Sequence, residues 1–197
     1  MKTSFFTGLL AAFILAGCTN TQVVQSWKEP TFTGTLSFKK IIVVAVTKEE
    51  ATRRTAEDEL AKFIGPKAVA SHTLIPTGDI QSVEKVKAQV DGSGADGLVR
   101  VRAVDVREQV DYVPGPMAGP AYAPWGAAPY SWGWGYEPGY FTTNTVVRLE
   151  TSIYSLPDEK LIWTSASETI NPGKLKTEVQ NLARAVKARL VKEKLLQ

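Results

Sequence analysis

Apolar residues recur along this chain with two different periods, and the changes of period mark its elements. Residues 41–46, IIVVAV, form a short, continuous, β-branched run that suits a strand buried on both faces. Thr47 stands three residues before Glu50, the spacing of a capping box at a helix start. Ala56, Leu60, Phe63 and Ile64 follow at helical spacing and should face the sheet, until Gly65 and Pro66 stop the helix. Residues 68–75, AVASHTLI, predict a second strand ending at Pro76. Val83, Val86 and Val90 predict a second helix, capped by Asp79 or Ser82.

From Gly97 to about Val113 the alternation carries more. Val99, Val101 and Ala103 share one face with Arg100 and Arg102 opposite, after which Val104 and Val106 take over with Asp105 and Arg107 opposite. A one-residue slip turns every later side chain over, so a β-bulge is expected near Ala103 and Val104. Val147, Leu149 and Ile153 mark a fourth strand, and LPDEK, residues 156–160, a turn into Leu161 and Trp163 of a fifth. Strands three to five should form an antiparallel meander. Asn171 and Pro172 open a closing helix with a stripe of Leu175, Val179, Leu182, Val186 and Leu190. The expected fold class is α/β (α+β): a single mixed five-stranded sheet in the order βαβαβββα, with helices packed on it, in one domain over residues 40–197.

The first residues change the picture from fold to address. Lys2 precedes an uncharged apolar stretch from Phe5 to about Leu15, the layout of a secretory signal over residues 1–17. A membrane span needs roughly 20 apolar residues, and this stretch is shorter. Leu15, Ala16, Gly17 and Cys18 resemble the lipobox of bacterial lipoproteins, which implies a diacylated thiol and an acylated, palmitate-type amino terminus on Cys18. Thr19 stands where an inner-membrane retention signal shows Asp, so the resemblance implies the outer membrane, with the domain facing the periplasm. Residues 18–39, polar with scattered Trp27, Phe32 and Phe38 and with Pro30, are expected to be a lipidated N-terminus and tether that partly docks.

Removal of residues 1–17 takes Lys2 with it and lowers the formal net charge from +3 to +2, close to neutral. Nucleic-acid partners require concentrated Lys and Arg on one face, so none is expected. Cys18 is the only cysteine, which excludes internal disulfides and leaves stability to packing.

The LAGC signal, the opening VVQSWKEPTF, the strand FKKIIVVAV followed by RRTAEDELAKFI, the segment ADGLVRVRAVDV and the hairpin ETSIYSLPDEKLIWTSASETINP together resemble a family of bacterial lipoproteins of unknown function. The likeness runs over nearly the whole mature chain. More distantly, the element order is similar to the periplasmic α/β fold shared by the amino-terminal domain of TolB and the lipoprotein activator of a peptidoglycan synthase. That likeness concerns fold, which does not fix function, and the family supplies no catalytic residues.

Several motifs read as structure. Gly92, Gly94 and Gly97 match G-x-G-x-x-G, but they follow a helix and open a strand, the reverse of a dinucleotide site, so a helix stop and turn is expected. His72 is the only histidine, and a zinc site needs about three or four ligands, so neither metal nor other cofactor is expected. Glu57, Asp58 and Glu59 lie beside Arg53, Arg54 and Lys62 and read as a solvated, charge-paired helix face, with Asp58 and Lys62 at i, i+4. Arg100 and Arg102 should pair with acidic neighbours such as Glu150, and the cations Arg184, Lys187, Arg189, Lys192 and Lys194 suit the end of the last helix.

The stretch from Pro114 to Phe141 does not read as core. It holds six Gly, six Pro and eight aromatics, Tyr122, Trp125, Tyr130, Trp132, Trp134, Tyr136, Tyr140 and Phe141, with Glu137 as the only charge. Proline and glycine oppose regular pairing, so residues 114–141 should form a long loop inserted in a hairpin. Exposed rings in such number mark an interaction site for protein, sugar or lipid. The expected function is an outer-membrane-anchored binding or adaptor module of the cell envelope, not an enzyme, whose aromatic loop meets an envelope protein or cell-wall polymer. The alternatives are a cell-wall hydrolase, which lacks a recognisable nucleophile, base or metal set, and a structural subunit of a homo-oligomer.

Overall fold

The computed structural model describes residues 21–115 and 139–197. They form one mixed sheet of six strands: β1 (Thr21–Lys28), β2 (Ile41–Val46), β3 (Ala68–Ala70), β4 (Gly97–Val113), β5 (Tyr140–Ser155) and β6 (Lys160–Ile170). Three helices accompany it: α1 (Glu50–Ile64), α2 (Val83–Asp91) and α3 (Leu175–Lys192). The strand order is β1-β6-β5-β4-β2-β3. β2 runs parallel to both β3 and β4, while β4, β5, β6 and β1 are successively antiparallel.

β2 is central and buried on both faces, with Ile42 and Val43 fully enclosed. Ile41, Val43 and Ala45 point to one side, where Ala56 and Leu60 of α1 and Val179, Leu182 and Ala183 of α3 cover them. Ile42 and Val44 point to the other, against Ile75, Ile80 and Val90 around α2. The chain steps from β2 outward to β3 through α1, then back across β2 to β4 through α2. Crossovers share one hand, so reversing the direction puts the two helices on opposite faces. A third cluster, Ile153, Trp163, Leu190 and Leu195, closes the end of α3, where Trp163 Nε1 donates to Glu193 Oε2 at 2.7 Å.

The count of six replaces the expected five. The sixth strand comes from the segment read as a tether, because β1 pairs along β6 from Thr21↔Thr169 to Lys28↔Trp163. This is an edge strand whose side chains, TQVVQSWK, include little core, so it is specified by its backbone hydrogen bonds to β6 and not by an apolar pattern. β3 is shorter than expected, ending at Ala70, and residues 71–73 form a 3₁₀ turn. The Thr47–Glu50 capping box does not form either: α1 starts after Glu49, and Thr47 Oγ1 accepts from Glu49 N instead.

The bulge lies where alternation slips, between Ala103 and Asp105. Gly65, at φ 104°, ends α1, and Ser82 caps α2 by accepting from Lys85 N. Gly92, Gly94 and Gly97 form the exit of α2 and the entry of β4. Asp96 between them accepts from the amides of Lys39 and Lys40, and these bonds hold its carboxyl below the ordinary range. At Gly97 an added Cβ would lie 2.6 Å from Cγ of Phe38. Gly97→Ala should therefore cost about 1–3 kcal/mol as the ring is forced aside, read as a lower urea midpoint. An unchanged midpoint would show that Phe38 moves freely.

Candidate functional site

β4 and β5 are far longer than their neighbours, and the excess forms an arm. β2 leaves β4 at Arg102, and β6 leaves β5 at the pair Val146↔Ile170. Beyond that level Glu108–Val113 and Tyr140–Thr145 pair only with each other. Six residues at about 3.4 Å each give an arm of about 20 Å. Asn171 braces its base: the Asn171 amide donates to Thr145 O, Asn171 Oδ1 accepts from Thr145 N, and its Nδ2 donates to Asn144 Oδ1.

The arm has two unlike faces. Val106, Val110, Tyr112 and Phe141, with the exposed Glu108 and Thr143 between them, share the side that α1 and α3 cover further along the sheet, but here they are bare, at 65%, 61%, 51% and 72% exposure. The rings of Tyr112 and Phe141, cross-strand partners, lie 5.2 Å apart and tilted at 53°. The opposite face is polar as far as its end, where Val113 and Tyr140 lie. Asp111 accepts from Gln109 and Asn144, and these bonds lower its pKa. Arg107 bridges Glu168 and Asp105, which raises its own pKa.

Of the sequence-predicted site residues, Tyr140 and Phe141 lie in β5 and not in a loop, because the register carries pairing out to Val113↔Tyr140. Tyr122, Trp125, Tyr130, Trp132, Trp134 and Tyr136 lie outside the described residues, as does Cys18. The arm that carries the ends of the aromatic segment was missed in part, since Val104, Val106 and Val110 read as ordinary strand residues whose exposure depends on where β2 and β6 stop.

On the α2 side, Arg100 and Arg102 pair with Glu150 as their cross-strand positions suggest. Arg102 donates two bonds, from Nε at 3.0 Å and Nη2 at 2.9 Å, and Arg100 Nη2 a third at 3.1 Å. The Arg102 bonds hold the Glu150 carboxyl below its usual range, against a contribution from burial. Arg100 lies over the Tyr154 ring at 5.5 Å, and its buried Nε has no acceptor among the described residues. These groups edge a groove of about 470 Å³ floored by Val44, Val46 and Leu98. A second hollow, about 280 Å³ and mostly apolar, lies between the helix pair and the sheet; the buried Thr151 hydroxyl on its wall is also unpartnered among the described residues.

The charged face of α1 departs from expectation. Arg53 and Glu57 are fully buried and paired at 3.0 Å, and Asp58 meets His72 Nε2 at 2.7 Å in place of Lys62. His72 itself sits in the 3₁₀ turn and not in a strand. Among the described residues, no group of three or more His, Cys, Asp or Glu side chains is placed to hold a metal, and no helix is long and apolar enough to cross a membrane.

No family model matches the chain, and no curated protein matches it. Among solved structures, a PelC dodecamer from Paraburkholderia phytofirmans aligns with a TM-score of 0.43 at 10% identity, over 84% of this chain and 94% of that one. The lipoprotein GNA1162 from Neisseria meningitidis aligns with a TM-score of 0.40 at 12% identity, over 78% of this chain and 98% of that one. Likeness at this level places the chain in no family and transfers no activity.

Proposed function

We propose that this chain is a lipid-anchored binding or adaptor module of the bacterial cell envelope, attached through Cys18 to the outer membrane and facing the periplasm. The sheet and its three helices act as a rigid mount, and the aromatic segment carried by the β4–β5 arm makes the contact. One observation supports this reading above the others: the root and face of the arm, Val106, Val110, Tyr112 and Phe141, are bare apolar surface, and the arm leads directly into the aromatic residues between its strands. Apolar surface of this kind is costly in water and marks contact sites. On the arm's other face the polar groups Gln109, Asp111 and Asn144 satisfy one another.

A photo-reactive residue at Phe141 in living cells tests the contact. Cross-links that form in the wild type and vanish in the Trp125→Ala, Trp132→Ala, Trp134→Ala triple variant are the expected result; cross-links unchanged by the triple variant would remove the aromatic segment from the contact. The anchor has its own test. Cys18→Ser should abolish incorporation of labelled fatty acid, and label persisting in the variant would overturn the lipid assignment.

A further inference from the structure

Strand register fixes which end of the sheet the N-terminus leaves from. Thr21 pairs with Thr169, and the next residue of β6, Ile170, pairs with Val146 at the base of the arm. Thr21, where the described N-terminal strand begins, and the arm therefore sit at the same end of the sheet. Between Cys18 and Thr21 stand only Thr19 and Asn20. Three residue steps span at most about 11 Å.

From these lengths we infer that the partner of the arm is the surface of the bilayer that holds Cys18, met by Val110, Tyr112 and Phe141 on the arm's bare face. The inference rests on the lipid anchor proposed above and names what the module touches. If the sheet stood with its arm away from the membrane, Thr21 would be raised by at least the length of β1. Eight residues of strand are about 26 Å, more than twice what the short link spans. That orientation is excluded. With the arm toward the membrane, the arm is longer than the link, so its tip reaches lipid before the link is fully drawn out. With the sheet lying flat on its α1 and α3 side, the bare face of the arm is turned to the surface, and flat on the α2 side it is turned away. The upright orientation and the first of the flat ones bring Tyr112 and Phe141 to lipid.

The chemistry of the tip fits the interface and not the hydrocarbon. Tyr112 is half exposed, and tyrosine suits the headgroup level, where the ring is buried and the hydroxyl stays wet. Phe141, 72% exposed, and Val110 supply the apolar part. The arm's outer backbone edges have no strand partner among the described residues, and open edges are not tolerated inside hydrocarbon. Gln109 and Asp111, on the other face, would stay on the water side. The arm thus lies in the interface and does not span.

The test uses the full lipidated chain in vesicles of phosphatidylethanolamine and phosphatidylglycerol. A single new cysteine at Phe141→Cys carries an environment-sensitive dye, since an acylated Cys18 does not react; Glu159→Cys, in the turn at the opposite end of the sheet, is the control. Expected is quenching of the dye at 141 by headgroup-level spin-labelled lipid at least threefold stronger than at 159, with a blue-shifted emission. Equal quenching at both positions, in protein whose mass shows the acylated Cys18, would overturn the bilayer contact and leave the lipoprotein reading standing. A mass without acyl chains would overturn both. If the aromatic loss at 141 disturbs the arm, the same comparison at Val110→Cys, on the same face, decides.

Discussion

Glu57→Ala should lower the melting temperature by roughly 10 °C or more, the largest stability effect expected for a single substitution in this domain. Both oxygens of this enclosed carboxylate are in use. Oε1 accepts from Ala45 N at 3.0 Å, Arg53 Nε at 3.0 Å and Ser71 Oγ at 2.6 Å, and Oε2 accepts from His72 N at 2.6 Å. The reason for a charge here is visible in the sheet. β3 pairs with β2 only as far as Ala70↔Val43 and then turns away, so the Ala45 amide faces the place where a strand would have continued. Glu57 reaches down from α1 and takes that amide together with the His72 amide, doing for two residues what a longer β3 would have done. Arg53 balances the charge and ties Ser71 and Thr77 to the helix.

Breaking such a buried pair from one side costs about 3–5 kcal/mol, because the guanidinium is left enclosed and uncompensated. Two orphaned amides add to it. For a domain of this size each kcal/mol moves the midpoint by about 2–4 °C. The Arg53→Met, Glu57→Leu double variant removes both charges and should recover part of the loss, though not all, since the two amides stay unpartnered. A Glu57→Ala midpoint within about 2 °C of wild type, the equivalent of a kcal/mol or less, would mean that water reaches the site and that the pair contributes little.

This network also shows where the sequence stops being legible. The hydrophobic runs locate β2, the three helices, the meander and even the bulge, because each is a statement about which side chains must leave water. Arg53 and Glu57 sit among Arg54, Asp58 and Glu59, and an i, i+4 ion pair looks the same in sequence whether it is solvated or enclosed. What encloses it is the early end of β3, a tertiary fact. β1 is illegible for a related reason: an edge strand whose apolar residues, Val23, Val24 and Trp27, follow no alternation among Thr, Gln, Ser and Lys is held by the backbone of β6. The arm lies between these cases. Its residues alternate as a strand should, and only the neighbours' end points turn Val106 and Val110 from candidate core into surface.

Replacing residues 114–139 by Asn-Gly should leave the fold standing and remove the contact. Register chooses the junction: Val113 and Tyr140 are the last pair of the arm, so a two-residue turn can close the strands there without shifting any pairing below. The segment removed costs closure entropy that grows only slowly with length, so stability should change by no more than about 1–2 kcal/mol in either direction. Cross-linking from Phe141 should nevertheless fall sharply, since aromatic anchors at a contact centre commonly contribute about 2 kcal/mol or more each, roughly thirtyfold in affinity per ring. Circular dichroism and a urea titration separate the two effects. An intact melt with lost cross-linking is the signature of a mount that carries its contact at the tip of an arm. An unfolded variant would instead mean that the rings pack on the domain, that the bare faces of Tyr112 and Phe141 are covered from within, and that the aromatic segment belongs to the core.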